Sequence, residues 1–113
     1  MPVMVFYKDK SIEPEAAQEV MEALANVTSA ELDAKIEVRV VEPVLSFNAN
    51  KVHVEMRFRD FGEYTDKMLE EYHTKAMAAI GAALKKHNVA CQYSFYIVPS
   101  MPPRSLWAQG KPQ

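Results

Sequence analysis

The chain writes one hydrophobic pattern twice: a short period-2 run, a long stripe at helical spacing, and a second period-2 run that stops at a proline. In the first copy, Val3 to Lys8 puts Val3, Val5 and Tyr7 on one strand face and Met4 and Phe6 on the other. Ser11 can cap a helix whose first turn holds Pro14, where a missing N–H costs nothing. Ala16, Ala17, Val20, Met21, Leu24 and Val27 then recur at helical spacing while Glu15, Glu19 and Glu22 fall elsewhere, which predicts about three to four turns. Thr28-Ser29-Ala30-Glu31 has capping-box spacing and predicts a further turn. Ile36, Val38 and Val40 alternate with Glu37, Arg39 and Val41 until Pro43.

Val44 to Lys51, with Asn48 and Asn50, reads as a turn or loose hairpin. In the second copy, Val52, Val54, Met56 and Phe58 alternate with His53, Glu55, Arg57 and Arg59, the signature of a half-buried strand. Asp60 and Glu63 form a capping-box variant before a stripe of Met68, Leu69, Tyr72, Ala76, Ile80, Ala83 and Leu84. Lys85, Lys86 and His87 close that helix where cations suit its dipole, and Asn88 stops it. Cys91, Tyr93, Phe95 and Ile97 alternate with Gln92, Ser94, Tyr96 and Val98 until Pro99.

Strands that return through a helix pair in parallel, so two consecutive β-α-β units predict an α+β fold: a four-stranded mixed sheet with two helices on one face. At 113 residues and 49% hydrophobic, the chain has enough apolar material for one core, so a single domain over 1–113 is expected, with units 2–43 and 52–99 and an extended tail 100–113. Parity adds that Arg39 shares the face away from the helices with Glu37 and Val41. Met4, Phe6, Tyr96 and Val98 are expected on that face too, making it apolar enough to predict self-association.

The charge balance removes several function classes. Thirteen basic and fifteen acidic residues give a net −2 with no run of like charge, so a nucleic-acid or membrane surface lacks its electrostatic basis. A single cysteine, Cys91, excludes an internal disulfide framework and points to a reducing compartment. No basic leader or long apolar segment is present, and a cytoplasmic location is expected. With glycine only at 62, 81 and 110 there is no phosphate loop, and no serine–histidine order suggests a hydrolase. Glu70-x-x-His73 has the spacing of a carboxylate-bridged metal site but lacks the second copy such a site needs. No metal or cofactor is therefore expected. His53, Glu55 and Arg57 read as a solvated charge ladder, and Met68 and Tyr72 as core. An RNA-binding module would share the element order, but 51–59 lacks its aromatic–glycine signature.

The remaining chemistry lies at the amino terminus. Met1 precedes a small residue and is expected to be removed, leaving Pro2 as a secondary amine opening the first strand. An α-amino group has a reference pKa of ~7.7–8.0, and apolar burial and nearby cations both disfavour its ammonium form. The result would be a general base poised near neutrality.

A Met-Pro opening a strand, two β-α-β units of similar size and the run Ile36-Glu37-Val38-Arg39-Val40-Val41-Glu42-Pro43 together resemble the tautomerase superfamily, which includes 4-oxalocrotonate tautomerase, 5-carboxymethyl-2-hydroxymuconate isomerase and macrophage migration inhibitory factor. Val38-Arg39-Val40-Val41 is similar to the strand that carries a carboxylate-binding arginine, and Ser105-Leu106-Trp107-x-x-Gly110 to the carboxy-terminal segments of the longer members. The resemblance implies a homotrimer with active sites near the interfaces, acting on a small-molecule carboxylate. Pro2 is then the base for keto–enol proton transfer on a 2-oxo acid, and Arg39 holds the carboxylate. Where that pattern has a Gly-Arg pair this chain reads Asp9-Lys10-Ser11, so Lys10 keeps the charge without the bidentate fork. Arg57 and Arg59 resemble an arginine pair of decarboxylase-like members, and Trp107 could wall the pocket. Tyr93 and Tyr96 lie on the strand where some members carry a catalytic tyrosine, with the register open. The alternative is a non-catalytic ferredoxin-like module that oligomerises and binds a small anion through Arg39 and Arg57.

Overall fold

In this computed structural model residues 2–42, 51–59 and 62–100 are described, with residues 99 and 100 described by their backbone alone. The elements are β1 (Val3–Lys8), α1 (Pro14–Leu32), β2 (Glu37–Val41), β3 (Val52–Arg59), α2 (Asp66–Lys86) and β4 (Tyr93–Ser100). The sheet order is β2-β1-β3-β4. β1 pairs with β2 and β3 with β4 in parallel, while β1 and β3 run antiparallel at the centre. Each unit thus closes on an adjacent strand, unlike the split β-α-β of a ferredoxin-like fold, in which another strand intervenes.

One face of the sheet carries the rows Val38–Met4–Met56–Ile97 and Val40–Phe6–Val54–Phe95. Met4, Phe6, Val54, Met56 and Phe95 on this face pack into one cluster with Ala16, Ala17, Val20 and Leu24 of α1 and Tyr72, Ala76, Ile80, Ala83 and Leu84 of α2. Met4 and Phe6 therefore belong to the helix-covered face, not to the open one where they were expected. The open face is correspondingly more polar: its rows read Glu37–Val3–Arg57–Val98, Arg39–Val5–Glu55–Tyr96 and Val41–Tyr7–His53–Ser94.

Local chemistry corrects several expected boundaries. Ser11 does not cap α1: its backbone N–H and hydroxyl both donate to Asp9 Oδ2, at 3.0 and 2.5 Å, and Glu13 occupies the cap position without a side-chain bond. Those two bonds hold the Asp9 carboxyl below its usual range. The further helical turn expected from Thr28 is present, but Thr28 does not cap it. Thr28 lies inside one unbroken helix of 19 residues, fully buried, with Oγ1 donating to the Leu24 carbonyl at 2.7 Å. α1 ends at Asp33, in the left-handed region at φ 50°.

At α2 the cap is Thr65, whose side chain accepts from the Met68 N–H at 3.1 Å. Asp60 of the expected capping pair, the turn expected at 44–50, and the tail beyond 100 with Trp107 lie outside the described residues. Met68 is 37% exposed rather than core, on the first turn of α2. Asn88 does end the helix, at φ 57°. β4 begins at Tyr93 rather than Cys91 and continues through Pro99, which pairs with Phe58; a proline is tolerated there because, among the described residues, β4 pairs with β3 alone.

Tyr72 ties the two helices together. Its ring is wholly buried edge-on to Phe95 at 5.8 Å, and its hydroxyl lies 2.7 Å from Thr28 Oγ1. Thr28 already donates to Leu24, so Tyr72 must be the donor. Burial pushes its phenol up to about 12, so the donating proton stays in place. Tyr72→Phe should therefore lower the urea midpoint by the equivalent of ~0.5–1.5 kcal/mol at unchanged m, and Tyr72→Ala by ~3–5 kcal/mol. An unaltered midpoint in the phenylalanine variant would count against this bond.

Candidate active site

Pro2 stands immediately before β1 and is buried. Its carbonyl accepts the Glu37 N–H at 3.0 Å, which anchors the start of β1 to β2. Sequence parity puts its ring with Met4 on the helix-covered side. One step beyond the pairs Val3↔Glu37 and Val3↔Arg57, the register sets it opposite Ile36 and Phe58. Phe58 is itself buried and packs edge-on to Tyr64 at 5.6 Å. Both of these register neighbours of Pro2 are apolar.

The three described cations expected at the site are not gathered around Pro2 within one chain. Arg57 comes nearest along the sheet, opposite Val3, but on the open face. Arg39 is two rungs further in, opposite Val5 on the same face, with an exposed guanidinium 3.6 Å from Glu37. Lys10 is exposed beyond the far end of β1. Trp107 lies outside the described residues.

Two groups escape sequence reasoning. Lys8 falls on the core side by parity and is 8% exposed; it is accommodated because Nζ donates to the Ile12 carbonyl at 3.2 Å and pairs with Glu42 at 2.5 Å. The second is a network on the open face. Glu55 accepts from Arg57 at 2.7 and 3.2 Å through Oε2 and meets His53 Nε2 at 3.1 Å through Oε1. His53 Nδ1 is 2.6 Å from Ser94 Oγ, and Arg57 also reaches the Tyr7 hydroxyl at 3.4 Å. The imidazole sits between Tyr7 and Tyr96, at ring separations of 5.6 and 5.0 Å. The expected charge ladder of His53, Glu55 and Arg57 is present, but it is a connected, half-buried system joined to a serine. Their strand spacing was a visible signal; the partner Ser94 was not.

Glu70 and His73, the pair with metal-site spacing, line an open cleft of about 560 Å³ between α2 and β4. His73 Nε2 donates to the Phe95 carbonyl at 2.8 Å, so this ring nitrogen fastens the edge strand. Among the described residues no three His, Cys, Asp or Glu side chains are grouped to hold a metal ion. Cys91 lines a second cleft of about 340 Å³ with Lys51 and His87, and burial pushes its thiol up, away from the reactive thiolate.

The Arg57 hydrogen bonds hold the Glu55 carboxyl below the usual glutamate range, against partial burial and with help from His53. A carboxyl depressed in the folded state adds stability above its unfolded pKa and loses it as pH falls through the folded one. Thermal unfolding between pH 7 and 3 should therefore show wild type more stable than Glu55→Gln at neutral pH, with the gap closing on the acid side. A gap independent of pH would contradict the ionised pairing.

No helix among the described residues is long and apolar enough to cross a membrane. By sequence, the chain matches no protein-family model and no curated protein. Compared by structure, it is similar to a wild-type fused 4-OT solved as an asymmetric trimer, with TM-score 0.63 and 12% identity over 96% of this chain and 99% of that one. It is also similar to a 5-carboxymethyl-2-hydroxymuconate isomerase from Deinococcus radiodurans, with TM-score 0.61 and 14% identity over 99% and 87% of the two chains. A third similar structure is the malonate semialdehyde decarboxylase FG41, inhibited by 3-bromopropiolate, with TM-score 0.59 and 13% identity over 88% and 84%. The expected resemblance is thus met at the level of architecture: the chain shares the fold of these structures.

Proposed function

We propose that the chain is an isomerase that moves a proton between carbon and oxygen on a small 2-oxo acid, with Pro2, freed by loss of Met1, as general base. The observation that carries this reading is the placement of Pro2: buried, at the head of a central strand, in the tautomerase-superfamily fold. An amine among apolar neighbours such as Ile36 and Phe58 pays a desolvation cost on protonation, which lowers its pKa and favours the free base. Base catalysis of this kind is worth ~10²–10⁴-fold.

Arg39 is the carboxylate anchor in this reading. Its guanidinium is 66% exposed and its contact with Glu37 is long, so a substrate carboxylate could replace that contact at little cost. Arg57 and Lys10 are further substrate-binding cations. Lys10 lies beyond the opposite end of β1 from Pro2, so a second chain must supply the group that meets a small substrate there. A homotrimer meets this need and agrees with the trimeric fused 4-OT, while the isomerase and decarboxylase neighbours are consistent with a small-acid substrate.

The test is conversion of phenylenolpyruvate or 2-hydroxymuconate from enol to keto form by the chain lacking Met1. Pro2→Ala should lower kcat/KM by ~10²–10⁴-fold; equal rates, or a mass showing Met1 retained in active protein, would overturn the role of Pro2. Arg39→Ala should weaken a competitive carboxylate inhibitor roughly ten- to hundredfold, the loss of one charge-assisted hydrogen bond. Unchanged inhibition would remove Arg39 from the site.

A further inference from the structure

The open-face network holds a nucleophile, a base and an orienting acid in hydrogen-bonded order, and none of them is used by the proton transfer assigned to Pro2. We propose that Ser94, His53 and Glu55 form a second catalytic centre, in which Ser94 Oγ attacks small activated acyl esters.

The protonation pattern follows from the partners. Arg57 keeps Glu55 ionised, so both its oxygens can only accept, and in the neutral imidazole that a general base requires, the 3.1 Å contact puts the ring proton on Nε2. Nδ1 is then a lone pair, and the 2.6 Å contact is a hydrogen bond donated by the Ser94 hydroxyl. That is the ground state general-base activation needs: serine proton aimed at the base, with the opposite ring nitrogen fixed by a carboxylate. The ring is used in the reverse sense to the familiar triad, Nδ1 toward the serine, and such constellations are recognised by geometry and roles rather than by order in the chain. Arg57 holds Glu55 at two points, and Tyr7 and Tyr96 flank the imidazole.

Ser94 lies on β4, the edge strand among the described residues. Lys51 N–H donates to the Gln92 carbonyl, so even-numbered residues of β4 direct their backbone groups to β3 and odd-numbered ones direct theirs outward. The His73 bond to the Phe95 carbonyl agrees with that alternation. The Phe95 N–H, next after the nucleophile, therefore points away from β3, where it can receive a developing oxyanion.

In the step, Oγ bonds to the acyl carbon while the Ser94 proton passes to Nδ1, and the tetrahedral adduct expels the alcohol or phenol, which takes that proton. Water, deprotonated by the same nitrogen, then releases the acid and restores the serine.

The test uses p-nitrophenyl acetate with the full chain in its native assembly, following nitrophenol release and mapping acetyl groups by peptide mass. Acetyl on the peptide containing Ser94 is expected. Ser94→Ala should lack that label and lose ~10²-fold or more in rate, and His53→Gln should lose a similar factor with its circular dichroism unchanged. Ser94→Cys, which keeps a nucleophile, should still be acylated at position 94. Acetyl only on lysines or the amino terminus, or a Ser94→Ala rate within twofold of wild type, would overturn the assignment.

Discussion

The antiparallel pairing of β1 with β3 joins two units that could not bury their own apolar faces separately. Its register sets Met4 against Met56 and Phe6 against Val54. The even-numbered residues of both strands therefore fall on one face, and the two helices share one core over it. A slip of one residue would carry Glu55 and Arg57 into that core and Met56 out to solvent, so the alternatives are heavily penalised. The same register defines the two ends of the central pair. Pro2 sits with the end of β3 that carries Arg57 and Phe58, while Lys8 to Ser11 sit with Lys51, where Asp9 N–H donates to the Lys51 carbonyl at 2.8 Å.

The polar face is organised by charge pairs along the strands rather than across them. Glu37 and Arg39 on β2, and Glu55 and Arg57 on β3, pair within their own strands, with Val3 and Val5 of β1 between the two sets. Exposed pairs of this kind add little to stability. Their effect here is positional: Arg57 is fixed by Glu55 and Tyr7 while Arg39 keeps one loose contact. One guanidinium is held by two partners, and the other is exposed with a single long contact.

Much of this was legible in the sequence. Alternation within β2, β3 and β4 gave the correct face for each residue, including Arg39 away from the helices, because strand parity is a local property. Which face of β1 meets the helices is not local, since Val3, Val5 and Tyr7 are as apolar as Met4 and Phe6, and pairing with β3 decides it. The cap at Ser11 failed because Asp9, two residues earlier, offered its hydroxyl and N–H a nearer acceptor. Thr28 looked like a cap because threonine suits one; its hydroxyl is instead absorbed by Leu24 and Tyr72, the latter 44 positions away. Ser94 and His53 are 41 positions apart and meet only through the β3·β4 register, so no motif search could have joined them.

The geometry of β1 limits what one chain can do alone. Six strand residues at ~3.3 Å each separate Pro2 from Lys10 by about 20 Å, well beyond the length of a small dicarboxylate. A cation at Lys10 can therefore act on the substrate of Pro2 only if it comes from a neighbouring chain. The Ser94 network carries no such requirement, since serine, imidazole and carboxylate come from two adjacent strands of one sheet. If Pro2 works with Lys10 of a neighbouring chain as proposed, dissociating that assembly should disable chemistry at Pro2 while leaving the Ser94 contacts in place, because those lie within a single register.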